Sequence, residues 1–178
     1  MNTEIEFDFG DFTLRPFRVT DAKSLSHHAN NKLIARNLRD AFPFPYSYND
    51  AVQWIETTGT STNSLLLALV INDEVVGSVG VFPQSDVYRL SAEIGYWLAP
   101  YYWNRGYMAL AIKSIVDYVF SNSDIVRIYA GVFEHNAASA RVLTKCGFIH
   151  EATHHNAVIK DSVIMNELIY SLLRPVSQ

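Results

Sequence analysis

The sequence predicts an α+β fold: a mixed, mostly antiparallel sheet of about seven strands, about four helices and one central strand-helix-strand crossover. Three observations carry this. Three strand-like runs follow one another between Leu65 and Leu98, separated by turn residues. At Met108 the apolar period changes from that of a strand to that of a helix, and at Val126 it changes back. The last apolar alternation, Val163 to Leu173, adds a terminal strand. A chain of 178 residues, 49% of them hydrophobic, can bury one core and is short for two, so residues 1–178 read as a single domain.

From the N-terminus, Phe12 to Val19 alternates apolar and polar positions, and Pro16 marks it as an edge strand. Thr20 and Asp21 offer a helix N-cap, after which Ala22, Leu25 and Ala29 recur at helical spacing. Phe42-Pro43-Phe44-Pro45-Tyr46 cannot be helical, because each proline drives the preceding residue toward extended backbone. Ser47 or Asn49 can cap a second helix carrying Ala51, Val52, Trp54 and Ile55 and ending by Gly59. Leu65 to Ile71, the turn Asn72-Asp73 and Glu74 to Phe82 form a hairpin, and Leu90 to Leu98 extends it to a three-stranded meander.

Ile112, Ile115, Val116, Val119 and Phe120 then mark one face of a long helix, and Val126 to Val132 returns to strand period. Strand, helix and strand in that order make the two strands parallel, with a right-handed crossover. A further helix starts at Asn136, turns Val142, Leu143 and Cys146 inward and stops at Gly147. Phe148-Ile149 opens another strand, and Pro175 closes the last one.

Composition removes several classes of function. Fourteen basic against eighteen acidic residues, a net charge of -4, leave no basic surplus for a nucleic acid backbone. Cys146 is the only cysteine, which excludes an intrachain disulfide, and its inward position makes it a core residue rather than a nucleophile. The first residues are acidic where a signal peptide is basic, and Leu65 to Ile71 is far shorter than the roughly 20 residues that span a bilayer, so the chain is expected in the cytoplasm and off the membrane. His27-His28 and His154-His155 are adjacent pairs that point in different directions and lack metal-ligand spacing, so no metal site is expected.

The segment Ala99 to Tyr107 joins a strand to the long helix. A helix start leaves backbone N–H groups unpaired and carries the positive end of the peptide dipoles, so it suits a phosphate. By itself Gly106 reads first as a residue easing a turn. Neither the Gly-Lys-Ser/Thr ending of a P-loop nor a three-glycine dinucleotide fingerprint is present.

Three blocks taken together are more specific: Ala92-Glu93-Ile94-Gly95-Tyr96-Trp97-Leu98, then Trp103-Asn104-Arg105-Gly106-Tyr107-Met108-Ala109, then Asn136-Ala137-Ala138-Ser139 through Lys145-Cys146-Gly147-Phe148. In this order they resemble the GNAT superfamily of N-acetyltransferases. The opening Leu14-Arg15-Pro16, Thr20-Asp21-Ala22 and the stretch from Pro43-Phe44-Pro45-Tyr46 to Trp54-Ile55 narrow the resemblance to the ribosomal-protein N-acetyltransferase, RimJ/RimL-like, branch.

The resemblance implies a GNAT-like acyl-CoA N-acyltransferase fold that takes acetyl-CoA as co-substrate and acetylates a primary amine, a protein N-terminus or a small amine, by direct attack in a ternary complex. It implies that residues Trp103, Asn104, Arg105, Gly106, Tyr107, Met108 and Ala109 hold the pyrophosphate. It also implies that the backbone of Tyr96, Trp97 and Leu98 pairs with the pantetheine arm, that Asn136 and Ser139 contact the arm and its sulfur, and that Lys145 lies near the far end. Glu93 becomes the candidate general base and Ser139 the candidate general acid. On the residues alone, Glu93 is equally readable as a surface carboxylate or an arginine's partner, Tyr96 and Trp97 as core, and Asn136 with Ser139 as a helix cap. The family's turn usually has other residues where this chain has Trp103 and Met108, which keeps a non-catalytic CoA-binding sensor or regulatory module as the alternative. The Phe42 to Tyr46 loop and His154 to Ile164 are expected to frame the acceptor site. A homodimer through the terminal strand and the aromatic loops is left open.

Overall fold

The structure, a computed structural model, describes residues 5–60 and 64–175. The meander appears where the apolar runs place it. Strands β1 (Phe7–Asp8), β2 (Thr13–Arg15), β3 (Leu65–Ile71), β4 (Glu74–Pro83) and β5 (Ser91–Leu98) are joined by β6 (Arg127–Phe133), β7 (Ile149–Lys160) and β8 (Val163–Leu173). Together they make one sheet in the order β1-β2-β3-β4-β5-β6-β8-β7. All neighbours are antiparallel except β5 and β6, the two ends of the crossover. Asn72 and Asp73 both adopt left-handed backbone, the geometry of a two-residue hairpin whose twist matches its strands.

The helices are α1 (Ala22–Ala29), α2 (Lys32–Ala35), α3 (Tyr48–Thr60), α4 (Tyr107–Asn122) and α5 (Ala137–Lys145). They cover the two faces of the sheet, which explains the unbroken apolar strands in its middle. Ala22, Leu25 and Ala29 of α1 and Ala51 and Ile55 of α3 pack with Ala68, Val70, Val75 and Trp97 on one face. Ile112, Ile115, Val116 and Val119 of α4, with Leu143 of α5, pack with Leu67, Leu69, Val79, Ile94 and Ile128 on the other. Among the described residues, no helix is long and apolar enough to cross a membrane.

Several details depart from expectation. The first predicted strand shrinks to Thr13–Arg15 because Pro16 ends it, and β1 pairs outside it, so β2 is not the sheet edge. Asp21 does not cap α1 with its side chain. Its carboxylate instead accepts hydrogen bonds from both terminal nitrogens of Arg15, each at 2.8 Å, and from the Arg18 backbone N–H. Helix α2 was not expected; the Asn31 side chain caps it. Ser47, not Asn49, starts α3 in a reciprocal exchange with Asp50, and the helix runs one residue past Gly59. The terminal strand β8 lies between β6 and β7 and offers no free edge for pairing across a two-fold; that edge belongs to β7.

Candidate active site

The crossover leaves a defect in the sheet. β4 stays paired with β5 from Pro83↔Ala92 to Gly77↔Leu98, and β6 stays paired with β8 throughout. Between them, β5 and β6 pair only from Ser91↔Arg127 to Glu93↔Tyr129 and then diverge. Strand alternation fixes which backbone groups are stranded there. The Ser91 carbonyl accepts from the N–H of Gln84, one residue past β4, and the Ala99 N–H donates to Val76 of β4, so the odd residues between them, including Trp97, spend their backbone groups on β4. Tyr96 and Leu98 therefore point theirs into the gap, whereas Trp97 does not. The Leu98 carbonyl is taken by the Trp103 indole Nε1, which donates to it at 2.7 Å.

The same alternation sends side chains to opposite faces. Tyr96 goes to the side of α4 and α5, where its hydroxyl lies 2.7 Å from Ser139 Oγ. Asn136 places Ser139 by accepting its backbone N–H at 3.2 Å, the expected N-cap of α5. Burial pushes the Tyr96 phenol above its usual range, and the Ser139 hydrogen bond pulls the other way without reversing it. Cys146, on the inner face of α5, donates to the Ala109 carbonyl and is also raised by burial, which suits a core residue.

Glu93, Gly95 and Trp97 face the opposite side. There the Arg39 guanidinium is bonded to Glu93 Oε1, so the arginine-partner reading of Glu93 is realised at the mouth of the gap. Phe42 packs against Tyr46 and Trp97, with ring centroids 5.0 and 6.0 Å apart. A cleft of about 1250 Å³ joins both sides through the gap.

At the donor end of the cleft, Gly106 is the N-cap of α4 with φ of +81° and no side-chain cap. A Cβ there would meet nothing within 4 Å, so the glycine serves the left-handed backbone rather than a close approach. The first N–H groups of α4 are left for an outside acceptor. Met108 and Ala109 are buried against the core. Of the residues singled out in the sequence, Glu93, Tyr96, Trp97, Leu98, Trp103, Asn104, Gly106, Tyr107, Met108, Ala109, Asn136, Ser139 and Lys145 all line the cleft. Arg105 does not; its guanidinium lies over the rings of Tyr101 and Tyr102, 5.1 and 5.7 Å from their centroids.

Among the cleft-lining residues that sequence reasoning missed are Arg39, Arg141, Gly131 and Glu167. Arg141 had a signal, standing one helical turn before Lys145. The others meet only through tertiary structure. Phe42, Pro43 and Tyr46 of the aromatic loop line the cleft, whereas Val158, Ile159 and Lys160 of the His154 to Ile164 segment line a smaller side cavity instead. Among the described residues no group of three or more His, Cys, Asp or Glu stands together as a metal site.

A family model described as an acetyltransferase (GNAT) domain matches residues 11–149. The chain belongs to the GNAT acetyltransferase family. It is an acetyl-CoA-dependent N-acetyltransferase, with acetyl-CoA as its co-substrate. An uncharacterized N-acetyltransferase of Bacillus subtilis (strain 168), YoaA, is 33% identical over 102 residues, and the match spans 57% of this chain and 57% of that protein. Another of Bacillus licheniformis, p20, is 25% identical over 165 residues, or 91% of this chain and 92% of its own.

Solved structures of the same fold include the ribosomal-protein-S5-alanine acetyltransferase of Vibrio fischeri, with TM-score 0.80, 19% identity and coverage of 96% of this chain and 97% of that one. The microcin C7 self-immunity acetyltransferase MccE, in complex with acetyl-CoA and AMP, has TM-score 0.82 at 24% identity, covering 93% of each chain. RimL, a ribosomal L7/L12 α-N-protein acetyltransferase in complex with coenzyme A, has TM-score 0.81 at 18% identity, covering 92% and 94%. The ribosomal-protein branch suggested by the motifs is thus represented among its structural neighbours.

Proposed function

We propose that this GNAT enzyme acetylates a primary amine, a protein N-terminus or a small amine, by direct attack while both substrates are held in the cleft. The observation that carries this reading is the gap between β5 and β6, with Tyr96 and Ser139 on one face and Glu93 on the other. A group passing through the gap meets a hydroxyl pair on one side and a carboxylate on the other. That is the arrangement needed to protonate a leaving sulfur and deprotonate an attacking amine.

The residues present fit the co-substrate. The uncapped start of α4 at Gly106 suits a pyrophosphate, and the unpaired N–H groups of Tyr96 and Leu98 can pair with an extended amide-bearing arm. Asn136 and Ser139 border the same arm, and Lys145 with Arg141 supplies positive charge on α5. When bound, acetyl-CoA supplies the activated acetyl group and a thiolate that departs. A stranded N–H polarises the acyl oxygen, Ser139 with Tyr96 behind it gives a proton to the sulfur, and Glu93 takes one from the amine, directly or through water, once Arg39 yields Oε1.

The sensor reading rested on Trp103 and Met108. Both have structural employment, Trp103 in its bond to the Leu98 carbonyl and Met108 in the core, so neither favours a silent binding site. The test is thiol release from acetyl-CoA across a panel of small amines and peptides with free N-termini. Turnover with at least one acceptor, lowered in Ser139→Ala, is expected. Tight acetyl-CoA binding with no thiol released from any acceptor would sink the proposal.

A further inference from the structure

We propose that Glu167 holds the ammonium of the acceptor, and that position 131 is a glycine so that it can. The inference rests on the acceptor reading above and names the residue that selects a cation at that site.

Glu167 stands on β8, opposite Phe133 of β6 in the ladder. Its side chain leans back along β6, over Gly131. A Cβ built on Gly131 would lie 2.3 Å from Glu167 Oε1 and 2.9 Å from Cδ. No carboxylate can share that space with a side chain. Gly131 occupies the stretch of β6 that has parted from β5, and it is on the same face as Tyr129, whose ladder partner is Glu93. Glu167 therefore reaches toward the gap from one side as Glu93 does from the other. The phenol of Tyr129 is raised by burial and further by the negative charge of both carboxylates, which places both in its surroundings. Glu167 also lines both the main cleft and the side cavity of about 260 Å³ next to it.

The charges around it decide what it does. Arg39 is committed to Glu93 and Lys160 is committed to Asp40, at 2.6 Å. The His154 imidazole faces Glu167, its Nδ1 3.7 Å from Oε2, beyond hydrogen-bonding distance. His135, also on the cleft wall, is bonded to the Asn37 side chain. Among the described residues, two carboxylates of the cleft have no arginine or lysine seated on them, Asp50 and Glu167; Asp50 is spent on the backbone N–H and hydroxyl of Ser47 at the start of α3, which leaves Glu167. A partly buried carboxylate without a cation attracts one. The class it selects is a primary amine arriving protonated, and alcohols and uncharged amides are excluded.

Two substitutions separate charge from position. Glu167→Gln removes the charge and keeps the shape. Gly131→Ala keeps the charge but forces the carboxylate aside, and it leaves the fold intact because only the end of a flexible side chain must move. With the protein saturated with CoA, calorimetry reads the binding of 2-phenylethylamine and of the tripeptide Phe-Ala-Ala, whose relative losses tell a small amine from a peptide N-terminus. Both variants should weaken at least one probe by about tenfold or more, with CoA affinity and thermal midpoint unchanged. Wild-type affinity in Glu167→Gln overturns the inference. If the wild-type protein binds neither probe, the amine-acceptor reading itself falls, and the inference falls with it.

Discussion

The Tyr96 hydroxyl and Ser139 Oγ are 2.7 Å apart, joining a central strand to the first turn of the helix facing it. Because burial raises the Tyr96 pKa, its proton stays in place across neutral and mildly alkaline pH, and the pair acts there as neutral donors. Tyr96→Phe should therefore lower kcat by about tenfold or more at every pH from 6 to 9 without changing the shape of the profile. Ser139→Ala should cost at least as much, since it removes the hydroxyl proposed to protonate the sulfur. Rate profiles of the two variants check this, and a Tyr96→Phe enzyme that loses an alkaline limb would contradict it.

Gly106 carries left-handed backbone at the start of α4, in open space. Gly106→Ala meets no clash, so its whole cost is conformational, about 1–2 kcal/mol. If the helix start relaxes to escape that strain, its N–H groups turn away from the donor. The expected result is a KM for acetyl-CoA raised about tenfold with kcat nearly kept. Donor titrations at saturating acceptor measure it.

Glu93 and Arg39 make opposite predictions. Glu93→Gln should lower kcat by about a hundredfold, because the proton acceptor is gone. An unaltered rate and pH dependence at saturating acetyl-CoA would remove Glu93 from the mechanism. Arg39→Ala frees Oε1 from a competitor, so the acceptor KM should fall while the donor KM stays.

Much of this was legible locally. The change of period at Met108 and again at Val126 gave the crossover, and the crossover gave the gap, because parallel neighbours joined through a helix can part where antiparallel hairpin strands cannot. The Gly106 turn and Asn136 cap are short-range chemistry, visible within a few residues. Strand β1 was missed because two residues have no period. The contact of Tyr96 with Ser139 was missed for a different reason: an aromatic on a buried strand reads as core until the residue 43 positions later is placed beside it. Arg39 meets Glu93 across 54 positions. Gly131 looked like any strand glycine, since the side chain that fills the space of its missing Cβ, Glu167, stands on the neighbouring strand β8. Alternation did carry one unused consequence: it sends Glu93 and Tyr96 to opposite faces of β5, three positions apart.

Tyr46 closes the aromatic loop, and its pKa is pushed up to about 12 by burial and then by the nearby Asp50 charge. Below the phenol's unfolded value of about 10, both states hold the proton and stability does not depend on it. As pH rises from there through about 12, the unfolded chain releases the proton first and the folded state loses that part of its stability. Tyr46→Phe removes the titrating group. Its alkaline unfolding curve should be flatter than wild type by about 2 kcal/mol over that window, with little difference between them near pH 8. Denaturant titrations at pH 8, 10 and 11.5 check the sign.

Arg15 and Asp21 form a buried pair, 7% and 3% exposed, that ties β2 to the start of α1. Asp21 also accepts the Arg18 backbone N–H at 2.7 Å, so its carboxylate holds both the strand and the turn that follows. The hydrogen bond to Asp21 raises the Arg15 pKa, burial opposes that, and Arg15 keeps its charge under any working condition. Asp21→Ala leaves that charge buried with no carboxylate, which should cost about 3–5 kcal/mol. The double change Arg15→Met with Asp21→Ala removes the stranded charge too and should recover a large part of the loss. Urea unfolding of the single and double variants separates the two effects. If the double variant is no more stable than Asp21→Ala, the cost comes from the lost Arg18 contact and the turn, not from the unpaired guanidinium.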